Sequence, residues 1–258
     1  GCGPLSITFT NTSTPYDTGS VADMTFNWDF GNGLTSTSAN ALVTYTAAIG
    51  VDTVYTVRLI SQSEHGCLDT VFSTVRVNPN PTVELTKDDS IGCDPVEVNF
   101  TGSGVNVGSY HWDFADGNTS TQQNPTHIFR GVGFDDTTYT VSVYTLSPFG
   151  CPSDTITTDV TVLGQPIADF FALPDSVCAT STSQMVNGTF GATTYQWDFG
   201  NGQTSNAANP TAVFPLIPTA DTVYRIQLVA GNTQGCYDTA INYVVVAPIP
   251  TAVFTADV

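Results

Sequence analysis

Positive charge is nearly absent from this chain. Five lysines and arginines stand against 23 aspartates and glutamates, a formal net charge of −18 over 258 residues. Phosphate backbones are gripped by Lys and Arg, so nucleic acid is excluded as a partner, as is an electrostatic hold on anionic lipid. What such a charge suits is a chain that repels its neighbours or gathers cations. Long apolar runs are missing too, so no membrane span and no signal peptide are predicted, and the chain reads as a mature form or as a window of a longer one. No Cys-x-x-Cys occurs, which argues against zinc. His65, His111 and His127 share no common setting and have no recurring acid or nucleophile beside them, so no catalytic set is predicted. Helical periodicity is absent throughout.

All three tryptophans lie in one stretch that occurs three times. It reads Phe26-Asn27-Trp28-Asp29-Phe30-Gly31-Asn32-Gly33, then Tyr110-His111-Trp112-Asp113-Phe114-Ala115-Asp116-Gly117, then Tyr195-Gln196-Trp197-Asp198-Phe199-Gly200-Asn201-Gly202. The steps, 112 − 28 = 84 and 197 − 112 = 85, define a tandem array. Within each copy three rings alternate with polar residues, so the rings share one strand face. Trp28, Trp112 and Trp197 are therefore expected to anchor three small cores, each burying roughly 150–250 Å². The Gly-Asn-Gly or Ala-Asp-Gly that follows ends the strand in a turn.

The middle copy gives the plan. Strands are predicted over 83–86, 96–101, 109–114, 126–129, 139–144 and 155–162, with Tyr139, Val141 and Val143 inward. About seven short strands per copy suit a small β-sandwich. The predicted domains are 1–79, lacking its first strand, then 80–164 and 165–248. Residues 249–258 resemble the first strand of a following copy. Either the chain is cut from a longer array, or that strand completes a neighbouring subunit by strand addition.

Six cysteines occupy two repeating places. Cys2, Cys93 and Cys178 each precede a strand; Cys67, Cys151 and Cys236 each follow a glycine. An even count at repeated spacing predicts disulfides and an oxidising compartment. The pairs Asp29/Asn32, Asp113/Asp116 and Asp198/Asn201 are candidate oxygen ligands for calcium. The competing reading has these side chains bonding backbone amides in the turn, and it is preferred because two of the three pairs lack the second carboxylate.

These residues resemble the polycystic-kidney-disease (PKD) repeat, an immunoglobulin-like β-sandwich marked by a Trp-Asp-Phe-Gly-Asp-Gly strand and turn. The likeness covers the whole chain, with Asn32 and Asn201 departing from the second acidic position. It implies an all-β fold of tandem PKD-type sandwiches arranged as a linear rod, with no catalysis and no cofactor. The cysteines and the Gly-Cys-x-Asp-Thr element are similar to repeats in large secreted surface proteins of Bacteroidota. That implies an extracellular or cell-surface stalk, rod, filament or adhesin. Its partners would be neighbouring repeats or subunits of the same protein, with surface glycans or proteins as further candidates. The alternative is an accessory segment of a secreted hydrolase. A carbohydrate-binding module would need exposed aromatics, and most here are predicted core. The resemblance also makes Asp-Ser/Thr elements similar to a Bacteroidota O-glycosylation signal, with acceptors at Thr53, Thr70, Ser90, Thr137, Thr155, Ser176, Thr222 and Thr239. Asp-Thr is also simply a good strand start. Finally, the immunoglobulin-like path bears on the cysteines. Pairing within repeats (Cys2–Cys67, Cys93–Cys151, Cys178–Cys236) fits the spacing, whereas that path favours pairing between neighbours. The neighbour scheme gives Cys2–Cys151 and Cys93–Cys236 and reserves Cys67 and Cys178 for repeats outside the sequence.

Overall fold

A computed structural model describes residues 1–15, 21–216 and 219–255. Apart from one 3-10 turn, Val21–Asp23, its described elements are all β-strands. The described chain divides into two compact units. One is Gly1–Asp88 with Asn99–Thr126 and Thr140–Thr158; the other is Asp89–Val98 with His127–Tyr139 and Asp159–Val258. Sequence repeats and compact units thus do not coincide, because the division runs through the middle repeat and spares the Pro-containing linkers. Contact across each linker is close enough that the chain does not part there.

In the first unit, the opening repeat packs a two-stranded sheet on a four-stranded one. Leu5–Phe9 pairs antiparallel with Ala41–Tyr45. The larger sheet runs in the order Thr35–Ser36, Thr25–Asp29, Thr53–Gln62, Leu68–Val77. The period-two pattern of Thr53–Gln62 sends Val57 and Leu59 into the core beside Phe26, Trp28 and Phe30. Tyr45 lies in that core with its hydroxyl buried and unpartnered. Burial raises its pKa above the ordinary tyrosine value, and the neighbouring Tyr55 adds to the shift. The unit also holds part of the middle repeat. There Glu84–Lys87 runs antiparallel to Val96–Ser103, with Leu85 opposite Gly102, and Trp112 lies opposite Val143.

In the second unit, the third repeat has a three-stranded sheet, Phe170–Leu173, Thr182–Asn187, Thr211–Val213, facing a five-stranded one. The five run Ser176–Cys178, Tyr237–Ala247, Thr222–Gly231, Thr194–Asp198, Thr204–Ser205. Ile226 and Leu228 point into a core with Trp197, Phe199, Phe214 and Phe170. Here the structure adds short strands that the predicted segments did not include. Ser176–Cys178 is a strand parallel to Tyr237–Ala247, and Ile91–Cys93 is likewise parallel to Ile156–Leu163. The first strand of the repeat breaks at a short polar stretch and its second half joins the opposite sheet. Three residues containing a glycine are too short to show alternation, so the sequence did not announce them. Residues 249–255 form no strand, and the last three of the expected terminal strand, 256–258, lie outside the described residues.

Candidate functional site

Each Trp strand builds the same local device. The indole Nε1 of Trp28 donates to Ser38 O at 3.0 Å, that of Trp112 to Gln122 O at 2.8 Å, and that of Trp197 to Ala207 O at 2.9 Å. The ring is buried while its one polar atom is satisfied ten residues on, which suits a tryptophan in a small core. The turn after it is a double Asx turn in all three copies. Asp29, Asp113 and Asp198 accept from the amides of Gly31, Ala115 and Gly200 at 3.0, 2.9 and 2.8 Å. Asn32, Asp116 and Asn201 accept from those of Leu34, Asn118 and Gln203 at 3.1, 3.0 and 2.9 Å. The candidate calcium ligands are thus engaged with backbone amides. No group of three or more His, Cys, Asp or Glu fit for a metal occurs among the described residues.

Ala115 sits in this turn at φ 61, where the other copies have glycine. The left-handed region costs an L-residue roughly 1–2 kcal/mol. Ala115→Gly is therefore expected to stabilise the middle repeat by about 1 kcal/mol. Hydrogen exchange of its strands checks this, and unchanged or weaker protection would count against it.

The three histidines have different neighbours. His65 lies exposed beside Glu64 at 3.5 Å. His111 stacks on Tyr144 at 4.8 Å between ring centroids, and His127 meets Phe129 edge-on. Of the glycan acceptor candidates, Thr70, Ser90, Thr155, Ser176 and Thr239 are exposed, whereas Thr53, Thr137 and Thr222 are half-buried at strand starts. Thr70 and Thr239 each donate their backbone amide to the preceding Asp at 2.8 Å.

Polar contacts gather at the junctions between repeats. The turn that carries the second cysteine is built alike three times. Ser147 N donates to Cys151 O at 2.8 Å and Cys151 N to Ser147 Oγ at 3.1 Å. Ser63 and Cys67 make the same pair of bonds, and Asn232 replaces the serine before Cys236. In the first unit Cys151 is bonded to Cys2, Cα–Cα 5.4 Å. Around that bond Asn106 Nδ2 donates to Pro79 O at 3.0 Å, and the Arg76 guanidinium lies 5.7 Å from the Phe149 ring centroid while also pairing with Asp52. In the second unit Cys236 is bonded to Cys93, Cα–Cα 5.6 Å. Asp136 accepts from Gly164 N at 2.9 Å and from Gln234 Nε2 at 2.9 Å, and Asn232 Nδ2 donates to Gly164 O at 2.7 Å. Both disulfides join a strand-end cysteine of one repeat to the turn cysteine of the next, and neither joins two cysteines of one repeat. Cys67 and Cys178, expected in disulfides, are free and exposed, since that rule gives them no partner within this sequence. The role of Asp136 was missed because Asp136-Thr137 reads as a strand start or a glycan signal, and a single side chain bridging two repeats leaves no local pattern.

Two-sheet sandwiches repeated in tandem, each on a Trp strand closed by a double Asx turn, with a disulfide at both junctions, define a tandem immunoglobulin-like array. The chain belongs to the PKD-domain family, whose model matches residues 78–162 and 164–246. Among solved structures it is similar to the PKD1 domain of Vibrio anguillarum Epp, 24% identical over 33% of this chain and 96% of that one, TM-score 0.27. It is also similar to the PKD1 domain of the Vibrio cholerae metalloprotease PrtV, 29% identical over 32% of this chain and 98% of that one, TM-score 0.27. The fibronectin(III)-like modules of Clostridium thermocellum CbhA align at 16% identity over 62% of this chain and 86% of theirs, TM-score 0.31.

Proposed function

We propose that this chain is a load-bearing segment of an extracellular stalk, rod or filament, structural or adhesive, on the surface of a Bacteroidota-like bacterium. One observation carries the reading: the same covalent latch occurs at both junctions between repeats, Cys2–Cys151 and Cys93–Cys236. A bond across each linker resists bending and separation where a multidomain chain is otherwise weakest. Disulfides belong to oxidising compartments, which supports an extracellular location. The net charge of −18 keeps such chains apart in solution and rules against nucleic acid. Thr70, Ser90, Thr155, Ser176 and Thr239 are the glycan acceptors this reading favours, because a transferase needs an exposed hydroxyl; Thr53, Thr137 and Thr222 are retained as strand starts. Partners are neighbouring repeats or subunits of the same protein.

Native material tests this. Electron microscopy is expected to show long repeat-bearing rods or filaments at the cell surface, and intact mass of the segment to exceed the polypeptide's 27.3 kDa. A few repeats tethered to a catalytic domain would overturn the stalk. A mass equal to the bare polypeptide would remove the glycans.

A further inference from the structure

Strand alternation turns Gln196 and Asp198 to the outer face of the third repeat's five-stranded sheet, because Trp197 between them is buried in the core. Register puts Asp198 opposite Gln227 and Gln196 opposite Val229. On the far side Gln227 lies opposite Ile241, and Arg225 opposite Tyr243. An open cleft of about 350 Å³ lies on this face, and its lining includes Gln196, Asp198, Thr204, Asn206, Gln227 and Val229. That volume falls within the roughly 300–1,000 Å³ of small-molecule sites.

The polar groups of the cleft are fixed in complementary senses. Arg225 Nη1 donates to Gln227 Oε1 at 2.8 Å, which orients the amide and offers Nε2 as a donor. Asp198 Oδ1 accepts from Gly200 N at 2.8 Å, and Oδ2 is offered as an acceptor. With its amide nitrogen turned to Tyr195 O and Ser205 O, at 3.3 and 3.2 Å, Asn206 offers Oδ1. Gln196 and Thr204 can both donate and accept. The outward positions of Thr194–Asp198, Thr222–Gly231 and Tyr237–Ala247 carry one carboxylate, Asp198, and one guanidinium, Arg225. A face without net charge is thus set in a chain of −18.

An aromatic ring borders the cleft. Tyr237 lies opposite Gly231, two residues (~7 Å) along the strand from Val229. A Cβ at Gly231 would come within 2.5 Å of the Tyr237 ring, so the ring lies against the sheet where the glycine leaves room. It is nevertheless 60% exposed and keeps a face to solvent. The other repeats fill the same places differently. Arg58 stands for Gln227 and pairs with Asp29 at 3.5 Å. His111 and Tyr144 stand for Gln196 and Val229, their rings stacked at 4.8 Å. Phe72 of the first repeat, in the place of Ile241, is exposed although another repeat follows it, so openness here belongs to the face itself.

We propose that this face of the third repeat binds an uncharged, extended oligosaccharide. One pyranose ring stacks on Tyr237, and the hydroxyls of the next are held by Gln196, Asp198, Asn206 and Gln227. A pyranose has an apolar C–H face that suits the negative face of an aromatic ring, and hydroxyls that donate and accept at once. A polyanion would be repelled by the charge of −18, and a polycation would find a single carboxylate on this face. The inference goes beyond the stalk reading, which needs no ligand and survives its failure. Thr239 stands opposite Val229, so a glycan on it would contend for the same face; the test therefore uses unglycosylated chain.

The full chain, isotope-labelled and with both disulfides formed, is titrated in turn with cellohexaose, xylohexaose and mannohexaose and followed by NMR. At least one is expected to shift the amides of 194–198, 225–231 and 237–241 saturably. Gln196→Ala and Tyr237→Ala are each expected to weaken that binding tenfold or more. Gln227→Arg, which copies the Arg58–Asp29 pairing of the first repeat, is expected to abolish it while hydrogen exchange of Thr222–Gly231 stays unchanged. No saturable shift with any of the three sugars, shifts centred on another repeat, or undiminished binding in Gln196→Ala and Gln227→Arg would each overturn the inference.

Discussion

Unfolded and pulled by its ends, the oxidised chain is expected to extend to only about 280 Å, against about 900 Å after reduction. The difference follows from where the disulfides lie. Load entering at Gly1 crosses at once from Cys2 to Cys151, since those residues are bonded. It then runs back along 151 − 93 = 58 residues to Cys93, crosses to Cys236, and leaves by the C-terminal segment. Roughly 80 residues lie on that path, at ~3.5 Å each when fully extended. The remainder is shielded, and pairing within repeats would shield different segments and give a different length. Single-molecule stretching between end-attached handles, with and without reductant, measures both values. Equal lengths in the two conditions would remove the junction disulfides from the mechanical account.

Trp112→Ala and Trp197→Ala are each expected to cost about 3–5 kcal/mol in their own repeat. Both rings are almost wholly buried, and each truncation also strips a donor from a backbone carbonyl, Gln122 O or Ala207 O. Trp28→Ala should fall at the lower end, because Trp28 is 6% exposed and borders an open cleft lined also by Phe9, Asn11 and Phe72. A chain of several packed repeats does not unfold in one step, so a single global midpoint would mislead. Hydrogen exchange resolved by repeat is the suitable measure, and near-wild-type protection of the strands Ser109–Asp113 and Thr137–Leu146 in Trp112→Ala would sink the core assignment.

Much of the fold is written locally. The ring alternation around Trp28, Trp112 and Trp197, the inward set Val141 and Val143, and the turn chemistry of Asp29 and Asn32 are all short-range patterns. The three rings lie in the cores and Asp29 and Asn32 accept from turn amides; a strand's period and an Asx turn need only a few residues to declare themselves. Ile91–Cys93 failed to declare itself for the converse reason: its strand exists only because the last strand of the same repeat offers a parallel edge. Cysteine pairing was legible as a choice between two schemes and no further, since the choice depends on which end of a sandwich each cysteine reaches. The side chains gathered at the junctions, Asp136, Gln234 and Asn232, come from loops far apart in sequence. Nothing in their neighbours marks them, and they become a site only when one repeat is set against the next.

The two disulfides also change what a protease can do to this chain. Treat each bond as a knot, one tying Cys2 to Cys151 and the other tying Cys93 to Cys236. Three stretches of backbone, 3–92, 94–150 and 152–235, then run from one knot to the other, side by side as covalent connections. A nick in any one of them leaves the two ends of the molecule joined, and so do nicks in any two. Only when all three are cut do the two knots come apart, whereas the single segment after Cys236 has no such backup. On the proposed extracellular reading, the chain meets peptidases with no means of resynthesis in place. This wiring lets it accumulate damage in surface loops while remaining a single tether.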